Sequence, residues 1–144
     1  MMTFSSLYDQ LTLRIKDKFP NLFFYAYTPD LNSVNTRKPC VYLGDNVFDV
    51  VPYCNVTDVK MFVNIAIADT TEKQTAQDIQ RFVLSEFETF MTHFHGMEFI
   101  VDNCKYTGRI GKNRGKNIVS IDGLYSISKI EFQYYFEVLR RQGE

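Results

Sequence analysis

Apolar residues at Phe4, Leu7, Tyr8, Leu11, Ile15 and Phe19 step by three and four, the spacing of one helical face. Thr3, Ser5 or Ser6 can cap this first helix and Pro20 ends it. Residues 22–27 are aromatic and strand-prone until Pro29 and the polar stretch to Lys38 break the chain into a loop. Cys40, Val41, Tyr42 and Leu43 read as a short strand. Residues 47–57, with Pro52 among them, read as either an edge strand or an ordered loop. Between 58 and 68, Val59, Met61, Val63, Ile65 and Ile67 alternate with their neighbours, which predicts a strand.

Thr71 and Gln74 have capping-box spacing, and Ala76, Ile79, Val83, Phe87, Phe90, Met91 and Phe94 then trace one face of a second helix over 72–94. At 1.5 Å per residue it would be about 35 Å long, enough to cross a whole sheet. Gly96 falls where a left-handed cap would stop it. Residues 97–101 predict a further strand, and the alternation over 130–138 is the cleanest period-two pattern in the chain. The order is helix, three or four strands, long helix, then two or three strands. It predicts an α+β fold: a mainly antiparallel sheet of four to six strands with two helices packed on one face.

A length of 144 residues fits a single domain, 1–144, large enough to bury a core without metal or disulfide staples. Hydrophobic residues make up 45% and charged ones 23%, which excludes disordered, collagenous and coiled-coil classes. A formal charge of −1 excludes a protein that is basic over its whole surface, so any attraction for nucleic acid must be local. Aromatic content is high, with thirteen Phe and nine Tyr, and points to broad β surfaces or a subunit interface. No secretory signal opens the chain and no apolar run is long enough to cross a bilayer, so a soluble protein made in a cytoplasm is expected. Cys40, Cys54 and Cys104 form an odd set without a C-x-x-C pair, which reads as free thiols.

Catalytic and metal motifs do not emerge. His93 and His95, two apart near a helix end, point away from each other and suit the negative end of the helix dipole better than a metal. There is no nucleophile elbow and no His-Glu-x-x-His. The stretch Gly108-Arg109-Ile110-Gly111-Lys112-Asn113-Arg114-Gly115-Lys116-Asn117 has three residues between Gly111 and Gly115-Lys116 where a Walker loop needs four. Asn117 also replaces the hydroxyl that would hold magnesium. No enzyme activity, cofactor or metal is expected. What remains is a basic loop, Lys105, Arg109, Lys112, Arg114 and Lys116, free of acids. It could touch a nucleic-acid backbone without reading bases, or simply lie in solvent.

The layout resembles the tail terminator, or tail completion, proteins of long-tailed bacteriophages. An amphipathic opening helix leads into short strands and a Pro-containing loop. The strand over 59–68 then enters a helix through Thr75-Ala76-Gln77-Asp78-Ile79, and Gly96 ends that helix. The closing Asp122-Gly123-Leu124-Tyr125-Ser126-Ile127, running into the last strand, looks most like the family. The resemblance implies an α+β subunit that forms a ring, a hexamer, with copies of itself at the head-proximal end of the tail tube. There it would end tube polymerisation and dock the head-completion or connector protein. It implies residence in the virion after assembly in the host cytoplasm, transient non-specific contact with genomic DNA, and no membrane partner. Neck or connector ring proteins, and a small nucleic-acid-binding module using 105–116, are the alternatives.

A ring subunit presents one surface to a different surface of its neighbour, and such contacts are rich in aromatic side chains. Phe48, Tyr53, Phe62, Tyr125 and Tyr135 lie off the well-defined core stripes or in irregular segments, which makes them subunit-interface candidates. The competing reading has them closing the second face of the sheet. In a tube end the basic loop would face the lumen or the next ring.

Overall fold

The computed structural model describes residues 3–31, 38–44, 49–52, 59–71, 76–101, 104–116 and 126–138. Helix α1 (Thr3–Lys18) is followed by β1 (Phe23–Tyr25), β2 (Cys40–Leu43), β3 (Asp49–Pro52) and β4 (Val59–Thr71). Helix α2 (Ala76–Phe94) then leads to β5 (Glu98–Val101), β6 (Cys104–Lys116) and β7 (Ser126–Val138). The seven strands form one sheet in the order β1-β2-β4-β7-β6-β5, with β3 pairing β4 beyond the end of β2. All pairs are antiparallel except β1 with β2. The α+β expectation holds, with one parallel pair in an otherwise antiparallel sheet.

Strand alternation sorts the sheet into two faces. Val63, Ile65 and Ile67 of β4 stand beside Tyr134, Phe132 and Ile130 of β7, and all six are buried with the apolar stripes of both helices. Leu7, Leu11, Ile15 and Phe19 come from the α1 side; Val83, Phe87, Phe90 and Phe94 come from α2. Phe90 stacks on Phe94 at 4.3 Å and meets Phe132 at 4.8 Å and Tyr134 at 5.6 Å. The helix-bearing face therefore carries an aromatic core.

The sheet is strongly curled. Five inter-strand steps of about 4.8 Å would hold β1 and β5 about 24 Å apart in a flat sheet. Yet Arg14 of α1 lies 4.4 Å over the Phe99 ring of β5, and Lys16, two residues on, lies 5.3 Å over the Phe24 ring of β1. One helix thus bridges both edges of the sheet. It also seals one of them: Gln10 Nε2 donates to Ile100 O at 2.9 Å and Arg14 donates to Glu98 O at 2.8 Å. Those outward carbonyls of β5 would otherwise invite a foreign strand.

Three expectations are corrected or sharpened. Residues 105–116 are not a loop; they lie in β6, paired with β7 from Tyr106↔Val138 to Lys116↔Lys129 with a bulge between Ile110 and Asn113. Local propensity is poor there because of the glycines, but the long partner strand supplies the pairing that propensity does not. Thr71 is not a helix cap but the last residue of β4. The ambiguous 47–57 segment contains β3, with Pro52 at the strand's end opposite Val59.

The turn from α2 into β5 is pinned by four hydrogen bonds. Tyr134 OH donates to Phe94 O at 2.6 Å, Ile110 N–H to His95 Nδ1 at 3.1 Å, Gly96 N–H to Gly108 O and Gly108 N–H to Met97 O, both at 2.8 Å. Gly96 has φ 84°, the left-handed conformation expected at a helix end. His95 Nδ1 thus accepts from the backbone of β6 at the start of its bulge.

Candidate assembly surfaces

The helix-free, convex face of the sheet carries Lys105 and Arg109, two of the residues singled out by charge. Arg109 shares it with its register partner Tyr135, and Arg109 Nε lies 3.3 Å from Glu137 Oε2. Lys105 Nζ lies 3.1 Å from Glu98 Oε1. The register sets Arg114 opposite Glu131 and Lys116 opposite Lys129, whose ammonium pairs with Glu131 at 2.8 Å. Lys112 falls in the bulge. Neighbouring acids on β5 and β7 offset part of this charge, and exposed pairs of this kind contribute little to stability. Sequence reading missed that neutralisation because only strand pairing brings the acids alongside.

Phe62 and Tyr135 are cross-strand partners on the same face, half-buried, with ring centroids 5.5 Å apart and planes tilted by 38°. They cover one another in part, which combines the two readings the sequence allowed. Phe48, Tyr53 and Tyr125 lie outside the described residues. Toward β2 the convex face holds a smaller apolar cluster of Cys40, Tyr42, Ala66 and Ala68, with Tyr25 and Leu31 packed on it.

Among the described residues the exposed large apolar side chains are Leu13, Phe23, Tyr27, Leu84 and Ile100. Leu13 is 65% exposed on the outer side of α1, and Ile100 is 62% exposed on the edge strand β5. Phe23 opens β1 and Tyr27 follows it; Lys38 Nζ stands 4.8 Å over the Phe23 ring and Tyr25 meets Tyr27 edge-on at 5.8 Å. Leu13 is an apolar residue off the α1 stripe. Phe23 and Tyr27 were concealed inside a run read as one strand.

No cluster of three or more His, Cys, Asp or Glu side chains able to hold a metal occurs among the described residues. Burial, with a smaller contribution from Asp69, pushes the Cys40 thiol up to about 12, so it stays protonated and unreactive. No described helix is long and apolar enough to cross a membrane.

Asp69 and Ser128 face each other across β4 and β7, each 3% exposed, with Asp69 Oδ1 and Ser128 Oγ both lacking a hydrogen-bond partner. Burial raises the Asp69 carboxyl above its ordinary 3.8, against a lowering by the Thr70 backbone hydrogen bond. The native state therefore holds a proton more tightly than the unfolded chain does. This residue's contribution is favourable below pH 3.8 and is lost as pH rises through the raised value. Asp69→Asn is expected to unfold at higher temperature than the wild type at pH 7, with the gap closing toward pH 3.5. Paired melts across that range check it; a gap independent of pH would contradict it.

No family model matches this sequence. No curated protein matches it. A chain in a solved structure, the virion of a native gene transfer agent particle, superposes with a TM-score of 0.51 at 12% identity. The superposition covers 93% of this chain and 92% of that one. At this identity the likeness is one of fold. Two helices on a curled sheet, the architecture built above from residue patterns, is thus also the architecture of a virion component.

Proposed function

We propose that this chain is a structural virion protein: a ring subunit, six copies strong, seated at the head-proximal end of a phage tail tube. There it ends tube polymerisation and offers the docking surface for the head connector. The observation that carries the reading is the near end-to-end fold likeness to a chain of a gene transfer agent virion. The tail-terminator pattern in the sequence is what narrows it from virion component to tail end. Exposed apolar residues on α1, β1 and β5 supply contact surface for neighbours. The function is binding and shape, with no bond made or broken, no cofactor and no metal.

In this reading the tail tube protein and the head-completion protein meet opposite faces of the ring. Basic positions of β6, namely Lys105, Arg109, Lys112, Arg114 and Lys116, face DNA in the lumen or the adjoining ring. Because Lys105 and Arg109 are already paired with Glu98 and Glu137, contact with passing DNA is weak and falls as salt rises.

Electron microscopy of particles assembled with and without this gene product tests the proposal. Without it, tubes of unregulated length and unattached heads are expected. Normal tails that merely lack heads would move the protein to the neck.

A further inference from the structure

The outer side of β6 is closed over part of its length only. Strand β5 pairs with it from Cys104 to Thr107. Gly96 and Met97 then bond the outward C=O and N–H of Gly108, and His95 Nδ1 accepts from the Ile110 N–H. Gly108 and Ile110 stand opposite Phe136 and Tyr134, and past the bulge the same alternate series of β7, Phe132 and Ile130, stands opposite Asn113 and Gly115. The main-chain N–H and C=O of Asn113 and Gly115 therefore point away from β7, as those of Gly108 do. No described strand pairs with them on that side. Two donors and two acceptors, at the spacing of a strand ladder, are left at this edge.

Charge is distributed unevenly along the same strand. In the closed part, Lys105 and Arg109 are paired with Glu98 and Glu137. In the open part, Lys112 falls in the bulge and Arg114 and Lys116 follow, with Glu131 and Lys129 at the register positions opposite. Glu131 is already paired with Lys129. Positive charge is thus in surplus where the edge is open.

We propose that the open edge of β6 binds an extended, acidic segment of a neighbouring protein, which adds to the sheet as a further strand. Strand addition satisfies both kinds of main-chain group, and the surplus cations select carboxylates. A nucleic-acid backbone would meet the cations and the N–H groups, but its phosphates have no donors for the Asn113 and Gly115 carbonyls. The described strands of a second copy offer no match either. Two β6 edges would repel each other, and the β5 edge is sealed by Gln10 and Arg14. In β1 the Phe23 N–H is turned to Pro39 O, so Phe24 alone of its three residues turns outward. Asn64 O accepts from Gly44 N–H on the β2 side, so Phe62 and Lys60 face β3 and leave only Val50 and Pro52 of β3 outward; Pro52 has no N–H. Of the two surroundings considered above for these basic positions, the inference takes the protein one. It goes beyond the ring reading, which stands without it.

The test uses the isotope-labelled full chain and three probes: a short peptide alternating Val and Glu, the same peptide N-methylated at every amide, and a single-stranded oligothymidylate of equal charge. In amide NMR spectra the Val-Glu peptide is expected to shift the Asn113 and Gly115 signals and to slow the exchange of both amides with water, less so at high salt. It should bind about tenfold more tightly than either other probe, because only it can complete the ladder. Lys112→Glu with Lys116→Glu should weaken it by about tenfold and let a Val-Lys peptide take the edge. A methylated peptide that binds as tightly overturns the inference, since charge alone is then read. An oligonucleotide that binds as tightly also overturns it and assigns the basic positions to DNA. A Val-Glu peptide that leaves Asn113 and Gly115 unprotected overturns it as well. Protection of these amides in the chain alone, rising with its concentration, overturns it and gives the edge to a second copy. Each of these results leaves the virion reading, tested on particles, as it was.

Discussion

Replacing Gly108 by Ala is expected to cost about 3 kcal/mol and to lower the melting temperature by on the order of 10 °C. Gly108 lies under the Tyr134 ring, and a Cβ built there meets the Tyr134 hydroxyl and ring carbons well inside van der Waals contact. Tyr134 cannot swing aside. It is fully buried, burial pushes its phenol pKa upward, and its hydroxyl holds the last carbonyl of α2 through Phe94 O. The added methyl must therefore break that hydrogen bond or displace β6 from β7, and an orphaned buried carbonyl adds its own penalty. Tyr134→Phe removes the nearest clashing atom. The cost of Gly108→Ala should therefore be smaller when measured in a chain that already carries Tyr134→Phe. Denaturant titrations of the two single variants and the double variant check this; strictly additive losses would contradict it.

Phe90→Ala is expected to be larger still, about 3–5 kcal/mol. Phe90 is fully buried and touches four other rings: Phe19, Phe94, Phe132 and Tyr134. It joins α1, α2 and β7 at one point, so its removal opens a cavity that no single element can collapse to fill. Ala is a strong helix former, so the loss belongs to packing and not to helix propensity. Leu84→Ala, on the exposed side of the same helix, should change stability by about 0.5 kcal/mol or less. A comparable loss at both positions would contradict the account of where α2 packs.

The two predictions fall on opposite sides of what the sequence pattern reveals, Phe90 on a legible helical stripe and Gly108 in a strand the pattern hid. The stripe from Leu7 to Phe19, the stripe from Ile79 to Phe94 and the alternation in β4 and β7 were legible because each is a local period that burial on one face enforces. Strand β6 was not. Glycines and like charges at 105–116 speak against a strand locally, and only its long partner β7 and the close approach of Tyr134 over Gly108 explain it. The parallel β1–β2 pair is likewise non-local, and so is the curl, which Arg14 and Lys16 bridge by reaching two sheet edges. For the surface, Phe62 and Tyr135 were placed off the helix core by their alternation, and so they lie. Leu13 and Ile100 escaped notice because a single apolar residue on a polar face carries no period of its own.

These properties describe a rigid scaffold with apolar patches outside it, which suits a component that works by fitting against neighbours. The length distribution of tail tubes in particles made without this protein tests that claim most directly. The account predicts a broad distribution running past the wild-type length, restored to a single length by supplying the intact chain. Tubes of one length, bearing heads and indistinguishable from wild type, would contradict it.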